Sequence, residues 1–280
     1  MGTFVEVTSP DKRAASIVFN EINRIESLLS KYKEDSQISR LNKLGVLENA
    51  YPETIYIIRK SREFWLATDG AFDITIGPLM DLWGFSNKKY VLPREEKIKE
   101  ILKLVGSDKI ILQDKDNVVK FKTLGMKIDL GAIAKGYAVD CAVKKLRKAG
   151  IKSCLINAGG DIYCLGENFG RPWRVAIQDP RKKGFLGYLE LKDKAVATSG
   201  DYAQYFIKDQ KRYTHILNPK TGYPADSGVV SVTVVADDTL TADALATAIF
   251  VLGKEKGEVL AKNFPRVETR IIEDKYVQGN

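Results

Sequence analysis

Apolar positions along the chain switch between two spacings, and the switches lay out the elements. "TFVEVT" (3–8) alternates apolar and polar residues, the period of a half-buried strand. From Asp11 to Tyr32 the spacing changes: Ile17, Val18, Ile22, Ile25, Leu28 and Leu29 recur at helical intervals. The polar stretch "KEDSQISRLNK" reads as a loop. A second helix is expected over 53–68, closed by the glycine- and aromatic-rich "TDGAFDITIGPLMDLWGF". "REEKIKEILKLVG" predicts a short amphipathic helix, and "KIILQDKDNVVKFK" a hairpin turning at Asp116 and Asn117. "MKIDLG" reads as a strand running into the helix "AIAKGYAVDCAVKKLRKAG", which is expected to start near Ala132. "SCLINAGGDIYCLG" reads as a buried strand pair about a tight Gly-Gly turn. "WRVAIQDP", "GYLELKDKAVATSG", "QYFIKDQKRYTHIL" and "GVVSVTVVA" read as further strands. A buried helix, "TLTADALATAIFVLG" (239–253), and a last strand pair, "ETRIIEDKYVQ", complete the chain.

Helices and strands alternate irregularly, and several neighbouring strands suit antiparallel pairing. The expected fold class is therefore α+β or mixed α/β: largely antiparallel mixed sheets flanked by helices. No linker cuts the chain. A single domain over 1–280 is expected, with two intimate lobes and the site between them as its finer form.

Composition changes this picture little. With 280 residues, 44% hydrophobic and 29% charged, the chain can bury a real core. Its longest apolar run is too short to span a bilayer. The start, "MGTFVEVTSP", has no basic and then apolar run of the kind that makes a signal peptide. The formal net charge is +8, spread over the chain with small clusters at "KKLRK" and "PRKKG". These clusters lack interleaved aromatics, so a solvated basic surface is expected rather than nucleic-acid binding. Such a balance still helps attract a phosphate-bearing ligand. Cys141, Cys154 and Cys164 form no CxxC pair, and their odd count argues against a disulfide framework. With His215 the only histidine, any metal should be a hard cation held by oxygens.

Five stretches could carry chemistry, and each has a plainer structural reading. In "KIDLGAIAKGYAVD", Asp129 ends a strand and Gly131 permits a sharp turn into a helix start, where an anion is favoured. Lys135, in or near that first turn, opposes the helix dipole and asks for an anion to answer it. A phosphate would do so, and Lys135→Ala in ligand-free protein is then expected to be neutral or slightly stabilising. The plain reading is a solvated lysine and an aspartate cap. In "DGAFDITIGPL", Asp73 follows Phe72 in a glycine-bounded loop that a structural turn also explains. In "INAGGDIYCLG", Asn157, Gly159, Gly160 and Asp161 let the backbone approach something closely, or simply make a hairpin. His215 precedes the turn-rich "NPKTGYP" and carries the one side chain whose ordinary pKa lies near neutrality. Asp243 and Thr247 sit four residues apart on one face of an otherwise apolar helix. They suit a hard cation. Alternatively Asp243 is a first-turn acid behind a Thr241 cap, and Thr247 bonds back to the carbonyl of residue 243.

Taken together and in order, the stretches "MGTF", "LLSKYKEDSQISRLN", "TDGAFDITIGPLMDLWGF", "KIDLGAIAKGYAVD", "LINAGGDI", "PWRVAIQDP", "ATSGDY", "YTHILNPKTGYP" and "TADALATAIFVLG" resemble the ApbE family of FAD:protein FMN transferases. The resemblance covers nearly the whole chain. It implies an enzyme that splits the diphosphate of FAD, transfers FMN to a threonine hydroxyl of a target flavoprotein through a phosphoester bond, and releases AMP. It implies Mg²⁺ as cofactor, held by the Ala132 carbonyl and the side chains of Asp243 and Thr247. FAD contacts carry over to Met1, Tyr32, Ala71, Phe72, Asp73, Asp129, Lys135 and Ile216, with the rings of Tyr32 and Phe72 available for stacking. Lys135 would neutralise phosphoryl charge beside the metal, and His215 matches the proposed base. The implied acceptors are flavoprotein subunits of membrane electron-transport complexes. That puts the enzyme at the cell envelope, with a cytoplasmic location as the alternative. Two rivals use the same residues: a hydrolase cutting FAD into FMN and AMP, and a flavin-binding protein without catalysis.

Overall fold

The computed structural model describes residues 3–113 and 115–274. In chain order the elements begin β1 (Val5–Thr8), α1 (Arg13–Leu29), α2 (Gln37–Leu44), β2 (Val46–Leu47), α3 (Pro52–Ala67), α4 (Gly77–Leu82) and α5 (Glu95–Leu102). They continue with β3 (Ile110–Gln113), β4 (Val118–Phe121), α6 (Ala134–Lys148), β5 (Cys154–Ala158), β6 (Asp161–Leu165), β7 (Trp173–Gln178) and β8 (Phe185–Leu191). The last are β9 (Lys194–Gly200), β10 (Tyr205–Lys208), β11 (Lys211–Thr214), β12 (Val229–Ala236), α7 (Thr239–Leu252), α8 (Lys254–Lys262) and β13 (Glu268–Glu273).

The chain divides into two compact units. One gathers residues 1–26, 133–200 and 228–280; the other holds 27–132 and 201–227. The first unit is built on a six-stranded sheet of order β1-β5-β6-β9-β12-β13, antiparallel throughout. Its strand β12, "VVSVTVVA", is buried at every position. A strand covered on both faces needs no polar side. One cover is the β7–β8 hairpin, whose Trp173, Val175 and Leu191 pack with Cys164, Val196 and Val235 of the sheet. The other is α6 and α7, which lie against β5, β6, β9 and β12. The pleat therefore decides which sheet residues meet the helices. Asp161 and Ser199, of opposite parity to Cys164 and Val196, point to the helix side.

The second unit carries a three-stranded antiparallel sheet, β2-β4-β3, and the β10–β11 hairpin. Its apolar centre is Leu79, Trp83, Phe85, Ile98, Val105 and Leu217, with Phe206 and Tyr213 packed against it. The Trp83 indole N–H donates to the Gly222 carbonyl at 2.8 Å, so the ring is buried without an orphaned donor.

Several sequence expectations change here. "KEDSQISRLNK" holds α2, because Ser36 caps it by accepting from the Ser39 N–H and Gly45 ends it at φ 74°. "MKIDLG" forms no strand and joins no sheet. Helix α6 starts at Ala134, two residues later than expected, because Ile133 at φ −153° is still outside the helix. Helix α8 follows Gly253 directly and was absent from the sequence reading. Of the last expected strand pair, β13 is present and residues 275–280 lie outside the described residues.

Candidate active site

Helices α6 and α7 bring a cation and two acids together in the first unit. Gly136 sets their distance. A Cβ there would run into the Thr239 carbonyl oxygen, so only glycine lets the start of α6 lie on the start of α7. Asp140, one turn on, accepts from the Thr239 and Leu240 N–H groups at 2.8 and 2.9 Å. Asp238 accepts from Thr241 N–H at 2.8 Å. Three of the four orphan donors at the start of α7 are thus answered by carboxylates. The cap is Asp238 rather than Thr241.

One turn into α7, Asp243 is only 4% exposed. Its carboxylate accepts from the Gly136 N–H at 3.3 Å and faces the Lys135 ammonium at 3.2 Å. Asp161, at the start of β6 and 3% exposed, faces the same ammonium at 3.0 Å. Burial alone would lower the Lys135 pKa, but the two carboxylates outweigh it and hold the ammonium above its ordinary range. Burial pushes Asp161 well up, and the neighbouring Asp243 charge adds to this against the pull of Lys135. Lys135 is thus already answered by anions of its own chain. The expectation that its removal would be neutral in ligand-free protein is overturned, because removal would leave two buried acids facing each other.

Thr247 sits one turn past Asp243 on α7. Its hydroxyl lies 3.1 Å from that of Ser199 on β9, not on the carbonyl of residue 243 as the plainer reading had it. Asp243, Thr247, Asp161 and Ser199 form an oxygen-rich patch against an otherwise apolar helix. Among the described residues no three His, Cys, Asp or Glu side chains form a metal-binding group. A closed protein cage is therefore not built here. The donors are hard oxygens, and the two carboxylates among them already face a cation, which fits a magnesium ion that keeps waters or substrate phosphates in its shell.

The second unit holds the remaining expected residues. Asp129 pairs with Lys31 at 2.7 Å, and its other oxygen accepts from the Gly131 N–H at 2.8 Å, forming the turn that leads through Ala132. Lys31 also donates to the Ser86 hydroxyl at 3.0 Å and lies 5.0 Å from the centre of the Tyr32 ring. Burial would lower the Lys31 pKa, but Asp129 outweighs it. Tyr32 is 67% exposed, so its ring face is open to stacking. Phe72 is the opposite case. At 2% exposed and edge-on to Phe64, its ring belongs to the core and offers no face to a ligand. Ala71 is buried beside it, and Ile216 is buried with its carbonyl taken by the Ala225 N–H.

The Asp73 carboxylate is also spoken for. It accepts from the Thr75 N–H and hydroxyl at 2.8 and 2.6 Å and from the Ser107 hydroxyl and N–H at 2.7 and 3.1 Å. Burial raises its pKa despite these bonds. Its side chain holds a loop together. His215 follows β11 and is half-buried. Its Nδ1 lies 3.0 Å from the Gln204 carbonyl oxygen. A carbonyl can only accept, so Nδ1 carries the hydrogen and the lone pair of the neutral ring is on Nε2. Met1 lies outside the described residues. Sequence reasoning passed over Lys31, Ser199 and Asp140, and weighed Asp161 as part of a close backbone approach or a hairpin turn, not as an acid facing Lys135. Nothing in their local spacing marks them, since each gains its role from a partner far along the chain. The three cysteines are free and buried, and burial pushes Cys154 and Cys164 up to about 12, so they are inert thiols.

Comparisons with known proteins agree with one another. The model of the ApbE family matches residues 1–271. An FAD:protein FMN transferase of Vibrio cholerae is 35% identical over 248 residues, 86% of this chain and 74% of the relative. One of Escherichia coli strain K12 is 34% identical over 278 residues, 94% of this chain and 79% of the relative. Among solved structures, the ApbE protein of Thermotoga maritima superposes with a TM-score of 0.88 at 37% identity, covering 99% of this chain and 95% of that one. The flavin transferase ApbE from Vibrio cholerae gives 0.86 at 30% identity, with 98% and 91% covered.

Proposed function

The chain belongs to the ApbE family, and we propose that it carries FMN from FAD to a threonine hydroxyl of an acceptor flavoprotein with the help of Mg²⁺. It is an FAD:protein FMN transferase, as its relatives are named. In the reaction, the threonine oxygen bonds to the phosphorus next to riboflavin. The bond from that phosphorus to the bridging oxygen breaks, and AMP leaves with the electron pair. The proton of the hydroxyl goes to His215 at Nε2, the nitrogen that the Gln204 carbonyl leaves with the lone pair.

The observation that carries this reading is the buried ammonium of Lys135 between Asp161 and Asp243. The mostly apolar helix α7 has no packing reason to bury Asp243 beside that ammonium. A hard cation does give one. Asp243 and Thr247 would hold Mg²⁺, to which the resemblance adds the Ala132 carbonyl. When bound, the metal supplies charge to the phosphoryl oxygens. Lys135 adds a second positive charge for the leaving group, and Tyr32 offers a flat, exposed face for the flavin or adenine. Location follows the same resemblance: the envelope, where membrane electron-transport subunits would present the acceptor threonine.

Incubation with FAD, Mg²⁺ and a candidate acceptor tests the reading. Covalent flavin on an acceptor threonine, found by mass spectrometry and abolished by chelator, is the expected result. Free FMN and AMP without labelled acceptor would make the protein a hydrolase, and intact FAD would make it a binder. Asp243→Ala should lower turnover by several orders of magnitude while the protein stays folded.

A further inference from the structure

We propose that Asp161 is a positioning residue that keeps Lys135 in the site when a divalent cation takes Asp243. The inference rests on the metal reading above and gives a role to a residue outside the expected ligand set.

The geometry defines the problem. Lys135 stands 3.2 Å from Asp243 and so competes for the carboxylate that a metal needs. A cation arriving at Asp243 must either expel this ammonium or leave it a partner. Asp161 is that partner. It is as buried as Asp243, stands 3.0 Å from the same nitrogen, and comes from a different element, the start of β6. Its Oδ2 is wholly buried and makes no hydrogen bond outside this ion pair. The Gly-Gly turn before it fixes its place, since Asp161 pairs with Ala158 across the β5–β6 hairpin. With Asp161 present, Lys135 shifts its weight to one carboxylate and stays neutralised. Without it, a metal at Asp243 would leave this ammonium with neither of its two close carboxylates, which costs about tenfold in affinity.

The test measures metal uptake by FAD-free protein, with Mn²⁺ as probe and the loss of its free-ion EPR signal as readout. Asp161→Asn should weaken Mn²⁺ binding about tenfold. The double variant Lys135→Met/Asp161→Asn removes the competitor with the partner, and should bind at least as tightly as the wild type. This variant is also the safer fold, because it removes a charge pair together. Unchanged binding by Asp161→Asn overturns the proposal. A double variant as weak as Asp161→Asn also overturns it, by making Asp161 a ligand in its own right. If the wild type takes up no Mn²⁺, or Asp243→Asn takes it up equally well, the metal reading itself fails and this proposal falls with it.

Discussion

His215 owes its tautomer to one main-chain carbonyl, and this fixes what it can do. With Nδ1–H donated to the Gln204 carbonyl, the basic lone pair of the neutral ring falls to Nε2. His215→Ala should lower transfer about 10²–10⁴-fold, the usual contribution of a general base. FAD affinity should change little. Loss of affinity with turnover kept at saturating FAD would make His215 a binding residue instead. Lys135 lends itself to a stability test. Its removal leaves two buried acids, so Lys135→Ala should destabilise metal-free protein by about 2 kcal/mol. That is below the 3–5 kcal/mol of a fully buried broken pair, because a quarter of the side chain still meets solvent. A melting temperature at or above wild type would contradict it. The residue types at these positions were legible in the sequence, but their partners were not. The demand of Lys135 for an anion could be read from its place near a helix start; that the anions are Asp161 and Asp243 depends on strand β6 and helix α7 arriving from elsewhere. Phe72 shows the reverse error. Its ring suited stacking by type, and only packing against Phe64 shows that it is core.

Helices α6 and α7 act as one element at their N-termini, held by Gly136 and Asp140. Burial pushes Asp140 up to about 6 from its ordinary 3.8, against the two N–H bonds from α7 that favour the anion. A folded-state value above the unfolded one means that the native protein holds this proton longer. Stability from this group is therefore present below about pH 4 and is lost as pH rises to about 6. Urea melts across pH 4–7 should show a wild-type decline that Asp140→Asn lacks, although the variant is weaker throughout because an amide cannot accept both N–H bonds well. Identical pH slopes would show that Asp140 does not titrate here. Gly136→Ala should cost about 1–3 kcal/mol by driving a methyl into the Thr239 carbonyl. The periodicity of α7 announced a buried helix, and its bounds of Thr239–Leu252 came close to those expected. Helix α2 was missed because its eight residues include polar positions that face solvent, while its caps, Ser36 and Gly45, were in plain view.

At the scale of the whole chain, the class was legible and the topology was not. Alternating strands and glycine turns point to antiparallel sheets, and those are present. The order β6-β9-β12 could not be read, since strand partners far apart in sequence are chosen by the hairpin β7–β8 and the helices that cover them. Charge is the whole-molecule property with a direct functional reading. The net +8 is spread over many lysines, and several of those are tied in surface ion pairs such as Lys97–Glu100 and Lys211–Asp226. Such pairs shield one another at short range, but the excess still sets a positive field around the chain. FAD carries a negative diphosphate and riboflavin does not. Raising salt shortens the screening length from about 30 Å at 0.01 M to about 8 Å at 0.15 M, which removes the attraction before contact. The association rate of FAD, followed by stopped-flow flavin fluorescence, should therefore fall several-fold over this range, while that of riboflavin stays flat. Equal salt slopes for the two ligands would mean that the basic excess plays no part in capture and serves only to solvate the surface.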